Sequence, residues 1–211
     1  MSVFQTPAPI TVNADALSGN VTVIASDRTD TVVAVRPADP AKKADVRAAE
    51  QTRVEFADGT LTVKTPKSWR THTPFGGNPT IEVTIEVPTG SRVAAVTGVG
   101  TITGNGELGE CNMEVAMGDI VVSQPQGSVT AKTSKGAIRI GEAVRGVMRL
   151  ETSMGDLEIG IRPGSAARVE TSTQTGNVSN RLAPVAEDGD TVHVIARTSM
   201  GNIIVQHTAA A

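Results

Sequence analysis

The residues with the clearest chemical reach stand together in one stretch, residues 64–80. It holds Lys64, Lys67, Trp69, Arg70, His72 and Phe75, and no Asp or Glu occurs from residue 60 to 81. The chain has one Trp, three Phe and no Tyr, so Trp69 and Phe75 are half of its aromatics. An indole flanked by cations can meet a partner protein, a glycan or an anionic lipid headgroup. The stretch is a Pro- and Gly-rich loop, and long loops on rigid scaffolds are where binding residues collect. Lys67, Trp69, Arg70, His72 and Phe75 are therefore the candidate binding residues. In the alternative role, Trp69 folds back as a lid on the open end of the structure.

Other groups carry less. Residues 104–109, GNGELG, match the spacing of a dinucleotide loop, but ECNMEVAMGDI follows where a helix N-terminus is required. Asp119, Asp156, Asn177 and Asn202 each follow a glycine. They lack the GGxGxD nonapeptides of calcium-binding solenoids, and they suit turns that bond their own backbone. Glycoside hydrolysis needs two carboxylates across a cleft. Here Glu82, Glu86, Glu107, Glu110, Glu114, Glu142, Glu151, Glu158 and Glu170 fall at outward strand positions. His72, His193 and His207 have no metal-ligand spacing. Cys111, the lone cysteine, reads as a buried small hydrophobe. No catalytic residue, metal site or cofactor is expected, and a carbohydrate-active enzyme is the remotest reading.

The elements that must position these residues are set by a repeat. Its glycines are Gly100, Gly118, Gly136, Gly155, Gly176 and Gly201, at intervals of 18, 18, 19, 21 and 25 residues. Two residues after each glycine stand Ile102, Ile120, Ile138, Leu157, Val178 and Ile203; seven before stand Val93, Cys111, Val129, Met148, Val169 and Val194. Three before stand Thr97, Val115, Thr133, Thr152, Thr173 and Thr198. A period of two within each unit is a strand. A period near 20 between units is one coil of a solenoid, stacked at ~4.8 Å so that equivalent positions form ladders. The chain is expected to be all-β: a single-stranded parallel β-helix (β-solenoid) with coils of 18–25 residues. An antiparallel sandwich would explain Asp58-Gly59 but gives no reason for six units in one register. Parity places Met117, Met154 and Met200, each just before a glycine, inside the coil corner; turned outward they would form a flexible apolar patch.

Upstream, the same register fits around Gly19 and again around Gly59, so residues 1–90 read as an elaborated N-terminal β region and 91–211 as the solenoid proper, in one continuous domain. Residues 41–50 are the one convincing helix, made of good helix formers. Hydrophobic residues at 39% support a core, while a net charge of −3 with 19% charged residues argues against nucleic-acid binding. Neither a signal peptide nor a run of some 18 apolar residues is visible, so a cytoplasmic location without stable membrane insertion is expected. The last coil, ending near Val205, offers no cap and is expected to support self-association through its open strand edge.

The units TGVGTI, AMGDIV, TSKGAI, TSMGDL, TQTGNV and TSMGNI, preceded by TRVEFADGTLTVKTP and IEVTIEVPTG, resemble the bacterial DUF4097 family of adhesin-like proteins, within the wider toastrack group. The resemblance runs from about Pro9 to Gln206. It implies a right-handed β-helix-like fold with no known enzymatic activity. Some relatives belong to membrane-stress sensing systems of the phage-shock type and others are surface proteins, and no catalytic residues carry over. The reading is a non-catalytic binding or scaffold protein with a protein partner or self-association through the solenoid ends; the alternative is a glycan- or lipid-headgroup-binding module using the Trp69 loop.

Overall fold

The computed structural model describes residues 1–66, 79–183 and 191–208. In chain order the elements are β1 (Ser2–Gln5), β2 (Thr11–Ser26), β3 (Asp30–Pro37), α1 (Lys43–Gln51), β4 (Arg53–Ala57), β5 (Thr60–Lys64) and β6 (Ile81–Pro88). The repeat follows as strand pairs: β7 (Arg92–Val99) and β8 (Ile102–Leu108), β9 (Cys111–Met117) and β10 (Ile120–Pro125), β11 (Val129–Lys135) and β12 (Ile138–Ala143). Then come β13 (Gly146–Met154) and β14 (Leu157–Ile161), β15 (Ala166–Thr175) and β16 (Val178–Arg181), and β17 (Thr191–Met200) and β18 (Ile203–His207).

The expected solenoid is what forms. Each pair is one coil: its first strand joins one parallel sheet, its second a facing parallel sheet, and the repeat glycine makes the corner between them. β2 is a whole coil by itself, crossing from one sheet to the other at Gly19. The inward columns of both sheets form one core, with Val93, Cys111, Val129 and Met148 in one column and Ile102, Ile120, Ile138 and Leu157 in another, all buried. Truncating such a rung, as in Leu157→Ala, removes contacts the stack cannot refill and costs about 2–5 kcal/mol.

The coils do not stack in sequence order. β2 pairs with β5 and β6 on one side and with β7 and β8 on the other. At the far end β17 lies between β13 and β15, and β18 between β14 and β16. The expectation of an open C-terminal coil is therefore corrected: Val205 is fully buried, flanked by Ile159 and Asn180. The coil of β15 and β16 lies outermost instead, and its residues explain why. Thr171 and Asn180 stand in columns that are apolar in the other coils, and Val178 is 46% exposed. A coil with polar inward positions loses least by having one neighbour.

The other end is covered. β1 pairs antiparallel with β3 and β3 with β6, while β4 pairs antiparallel with β5. Phe4 and Phe56 meet at 5.4 Å between ring centroids and pack against the core from these capping strands. Gly59 is not a coil corner, contrary to the repeat register. It turns a hairpin with Asp58 (φ 49° and 72°), the geometry for which Asp-Gly is favoured. α1 matches the expected helix to within two residues and buries Asp45 and Ala48.

Candidate functional site

The corner line of the solenoid is the most specified surface of the molecule. Each repeat glycine has φ between 136° and 153°. A Cβ at Gly118 would lie 1.8 Å from the carbonyl oxygen of Gly100, and one at Gly136 2.0 Å from that of Gly118. Glycine is thus required by close stacking as well as by the turn. The threonine column donates into this line: Thr133 Oγ1 to Gly118 O (3.0 Å), Thr152 Oγ1 to Gly136 O (3.1 Å), Thr198 Oγ1 to Gly155 O (3.2 Å) and Thr173 Oγ1 to Gly201 O (3.0 Å). Each bond runs to the neighbouring coil.

The Asx residues after the glycines also bond between coils, rather than within their own turn. Asp119 Oδ1 accepts from Ala137 N–H (2.7 Å), Asp156 Oδ1 from Asn202 N–H (2.7 Å) and Asn202 Oδ1 from Asn177 N–H (3.0 Å). Their oxygens are used in stacking, and among the described residues no cluster of three His, Cys, Asp or Glu is placed to hold a metal.

Just before the glycines the structure reverses the expectation for the methionines. Met117, Met154 and Met200 are 53%, 47% and 52% exposed, and Val99 is 45% exposed. Parity fails because the buried threonine closes the corner two residues earlier and the chain turns outward past it. Lys135 and Thr175 in the same column were the signal, since a core column would not take a lysine. Strand register aligns Val99, Met117, Lys135, Met154 and Met200 on successive coils. They form a ridge ~19 Å long at the strand spacing. Beside it runs a shelf of small residues, Ala116, Ser134, Ser153 and Ser199.

The residue 64–80 loop leaves from this same edge. In the coil of β5 and β6 it replaces the corner glycine, next to Ser18 and Gly19. Its root is fixed. Thr65 Oγ1 accepts from Leu17 N–H (3.1 Å), and buried Asp45 accepts from Thr80 N–H (3.0 Å) and Asp39 N–H (3.2 Å). The candidate residues Lys67, Trp69, Arg70, His72 and Phe75 lie outside the described residues.

Two depressions lie elsewhere. A trough of about 410 Å³ crosses the outer face of β2, β5, β7 and β9. It holds Asp15 and Glu114 on either side of exposed Val96, two strands and ~10 Å apart. Both carboxylates stand on an open sheet face, the arrangement of a solvated strand surface. A cleft of about 540 Å³ at the outermost coil is lined by Arg168, Asn180, Thr191, His193 and His207 among others. His207 continues the inward line of β18, beside Ile161, and neither ring nitrogen has a hydrogen-bond partner. Cys111 is 1% exposed, and burial pushes its thiol up to about 12, so it is no nucleophile. GNGELG forms part of β8 and carries no helix behind it.

The fold has solved counterparts. The chain is similar to a "putative cell adhesion protein" from Clostridium sporogenes, with a TM-score of 0.53 at 13% identity over 98% of both chains. It is equally similar to a "putative adhesin" from Bacteroides fragilis, with a TM-score of 0.52 at 13% identity over 97% of this chain and 95% of that one. At this identity the likeness is one of fold. No family model and no curated protein matches the chain.

Proposed function

We propose that this protein is a non-catalytic binding and scaffold module that engages its partners through the corner edge. The observation that carries the reading is the row of exposed Val99, Met117, Met154 and Met200 on a rigid glycine-locked corner. Exposed methionines form adaptable apolar contacts, and a contiguous apolar strip on a soluble surface marks an interaction site. The loop that holds Trp69 is rooted on the same edge, so one partner can span both. The adhesin names of the two fold counterparts support a binding role. The DUF4097 resemblance supports a place in bacterial envelope-stress signalling, in the cytoplasm, with the module transmitting or scaffolding protein contacts.

The cations of residues 64–72 give a second reading, a glycan- or lipid-headgroup-binding module in which Trp69 stacks and Lys67 and Arg70 supply charge. The test is a pull-down from native cells with wild type, Met117→Glu/Met154→Glu, Trp69→Ala and a sheet-face control, Thr130→Glu. The edge pair is expected to lose the specific partner while the control keeps it. An unchanged partner set in both the edge pair and Trp69→Ala would sink the proposal. Loss in Trp69→Ala alone, with retained folding, selects the second reading.

A further inference from the structure

We infer that the methionine ridge binds the same ridge of a second copy, antiparallel, across a two-fold axis at Lys135. The inference rests on reading the corner edge as the interaction edge and goes on to name its occupant.

The residue order along the ridge carries it. Counted in coils from Lys135, Met117 and Met154 stand one step away on either side, and Val99 and Met200 two steps away. An isologous contact requires that residue i meet j while j meets i. A two-fold axis at Lys135 places Met117 against the partner's Met154, and Val99 against the partner's Met200, so every apolar rung meets an apolar rung. Shifting the axis by one coil breaks this, because Lys135 then lies against a methionine or valine. The small shelf of Ala116, Ser134, Ser153 and Ser199 gives each partner side chain room beside the opposing ridge.

The charges match the same axis. The two lysines at the centre would repel if alone. Asp119 and Asp156 stand two residues beyond the ridge, one coil to either side of Ala137, within the span of a lysine side chain. Two Lys135 ammoniums are thus bracketed by four carboxylates. Asp119 already takes a loose contact from Arg139 (3.6 Å) and is exposed, so it remains open to a second cation. The strip is short, which places the dimer among weak contacts burying under ~1,200 Å². A ridge contact also closes at two copies, whereas stacking on the outermost coil is heterologous and continues into filaments.

The geometry gives a test by symmetry. Lys135→Cys puts a thiol on the axis, where it meets its own copy; Cys111 is too buried to interfere. With a short bifunctional maleimide, Lys135→Cys is expected to cross-link to dimer by itself. Val99→Cys and Met200→Cys are expected to cross-link at least ten-fold better when mixed than either does alone. Sedimentation of wild type should show a concentration-dependent dimer that Met117→Glu weakens at least ten-fold with unchanged melting. A strict monomer, or equal cross-linking at all three positions, would overturn the inference. So would a dimer lost in Val178→Glu and kept in Met117→Glu, which would move self-association to the coil end. None of these outcomes decides the pull-down above, so the two readings fail separately.

Discussion

Gly136→Ala tests the corner ladder at its centre. The new Cβ would lie 2.0 Å from Gly118 O and 2.5 Å from its carbonyl carbon, backbone atoms that cannot swing away. Relief requires the two coils to separate by more than an ångström locally. That separation strains or breaks Gly118 N–H to Lys135 O (2.8 Å), Thr133 Oγ1 to Gly118 O (3.0 Å) and Ala137 N–H to Asp119 Oδ1 (2.7 Å). At about 1 kcal/mol per hydrogen bond this is roughly 2–3 kcal/mol. Holding alanine at φ 151° adds about 1–3 kcal/mol. The sum, about 3–6 kcal/mol, lowers the melting temperature by roughly 10–20 °C for a chain of this size. Gly59→Ala is the matched control: its φ is also positive, at 72°, but a Cβ there meets nothing within 4 Å. It should cost only about 1–2 kcal/mol, the penalty of the left-handed region. Urea denaturation of both variants reads the difference. Equal midpoints would refute the stacking argument and leave only backbone preference.

Deleting residues 191–211 removes the coil that separates β14 from β16, so hydrogen exchange should show residues 166–181 losing protection; full protection there would mean the coils stack in chain order. His207→Leu replaces an imidazole whose buried nitrogens lack partners, and should raise the unfolding free energy by about 1 kcal/mol. A lowered midpoint would show that the ring is satisfied. The Arg28 side chain hydrogen-bonds Asp30 (2.8 Å) and holds its carboxyl below the usual 3.8. A depressed carboxylate contributes stability above its unfolded value and loses it as pH falls through the folded one. The stability gap between wild type and Arg28→Gln should therefore be present at pH 7 and shrink below about pH 4; a gap that widens in acid would contradict the pairing.

Fold class was legible because a stacked coil makes each column answer to one environment. The aliphatic columns at Ile102–Ile120–Ile138 and the glycine line needed no tertiary information. Coil order was not read, though its trace was present. Thr171 and Asn180 interrupt apolar columns, and the 21- and 25-residue intervals around Gly176 are those of a chain that steps past a position and returns. The methionines were misplaced for a local reason: strand parity holds only while the strand is straight, and it stops at the threonine that closes the corner. Lys135 in that column was the available warning. Gly59 misled because Asp-Gly serves a hairpin and a coil corner equally well in sequence; only the antiparallel partner β4 distinguishes them. The bonds from Asp119 and Asp156 to the next coil were out of reach, since a side chain's partner across a stack depends on register in space.

The central claim is that the corner edge, and not the sheet faces, makes the contacts. Site-specific photo-crosslinking in cells tests it most directly, with the reactive side chain placed in turn at Met117, Met154, Thr130 and Arg139. The last two stand outward on the two sheet faces. Adducts at Met117 and Met154, to a second copy or another partner, with none at Thr130 and Arg139, are the predicted result. Adducts confined to Thr130 or Arg139 would contradict it.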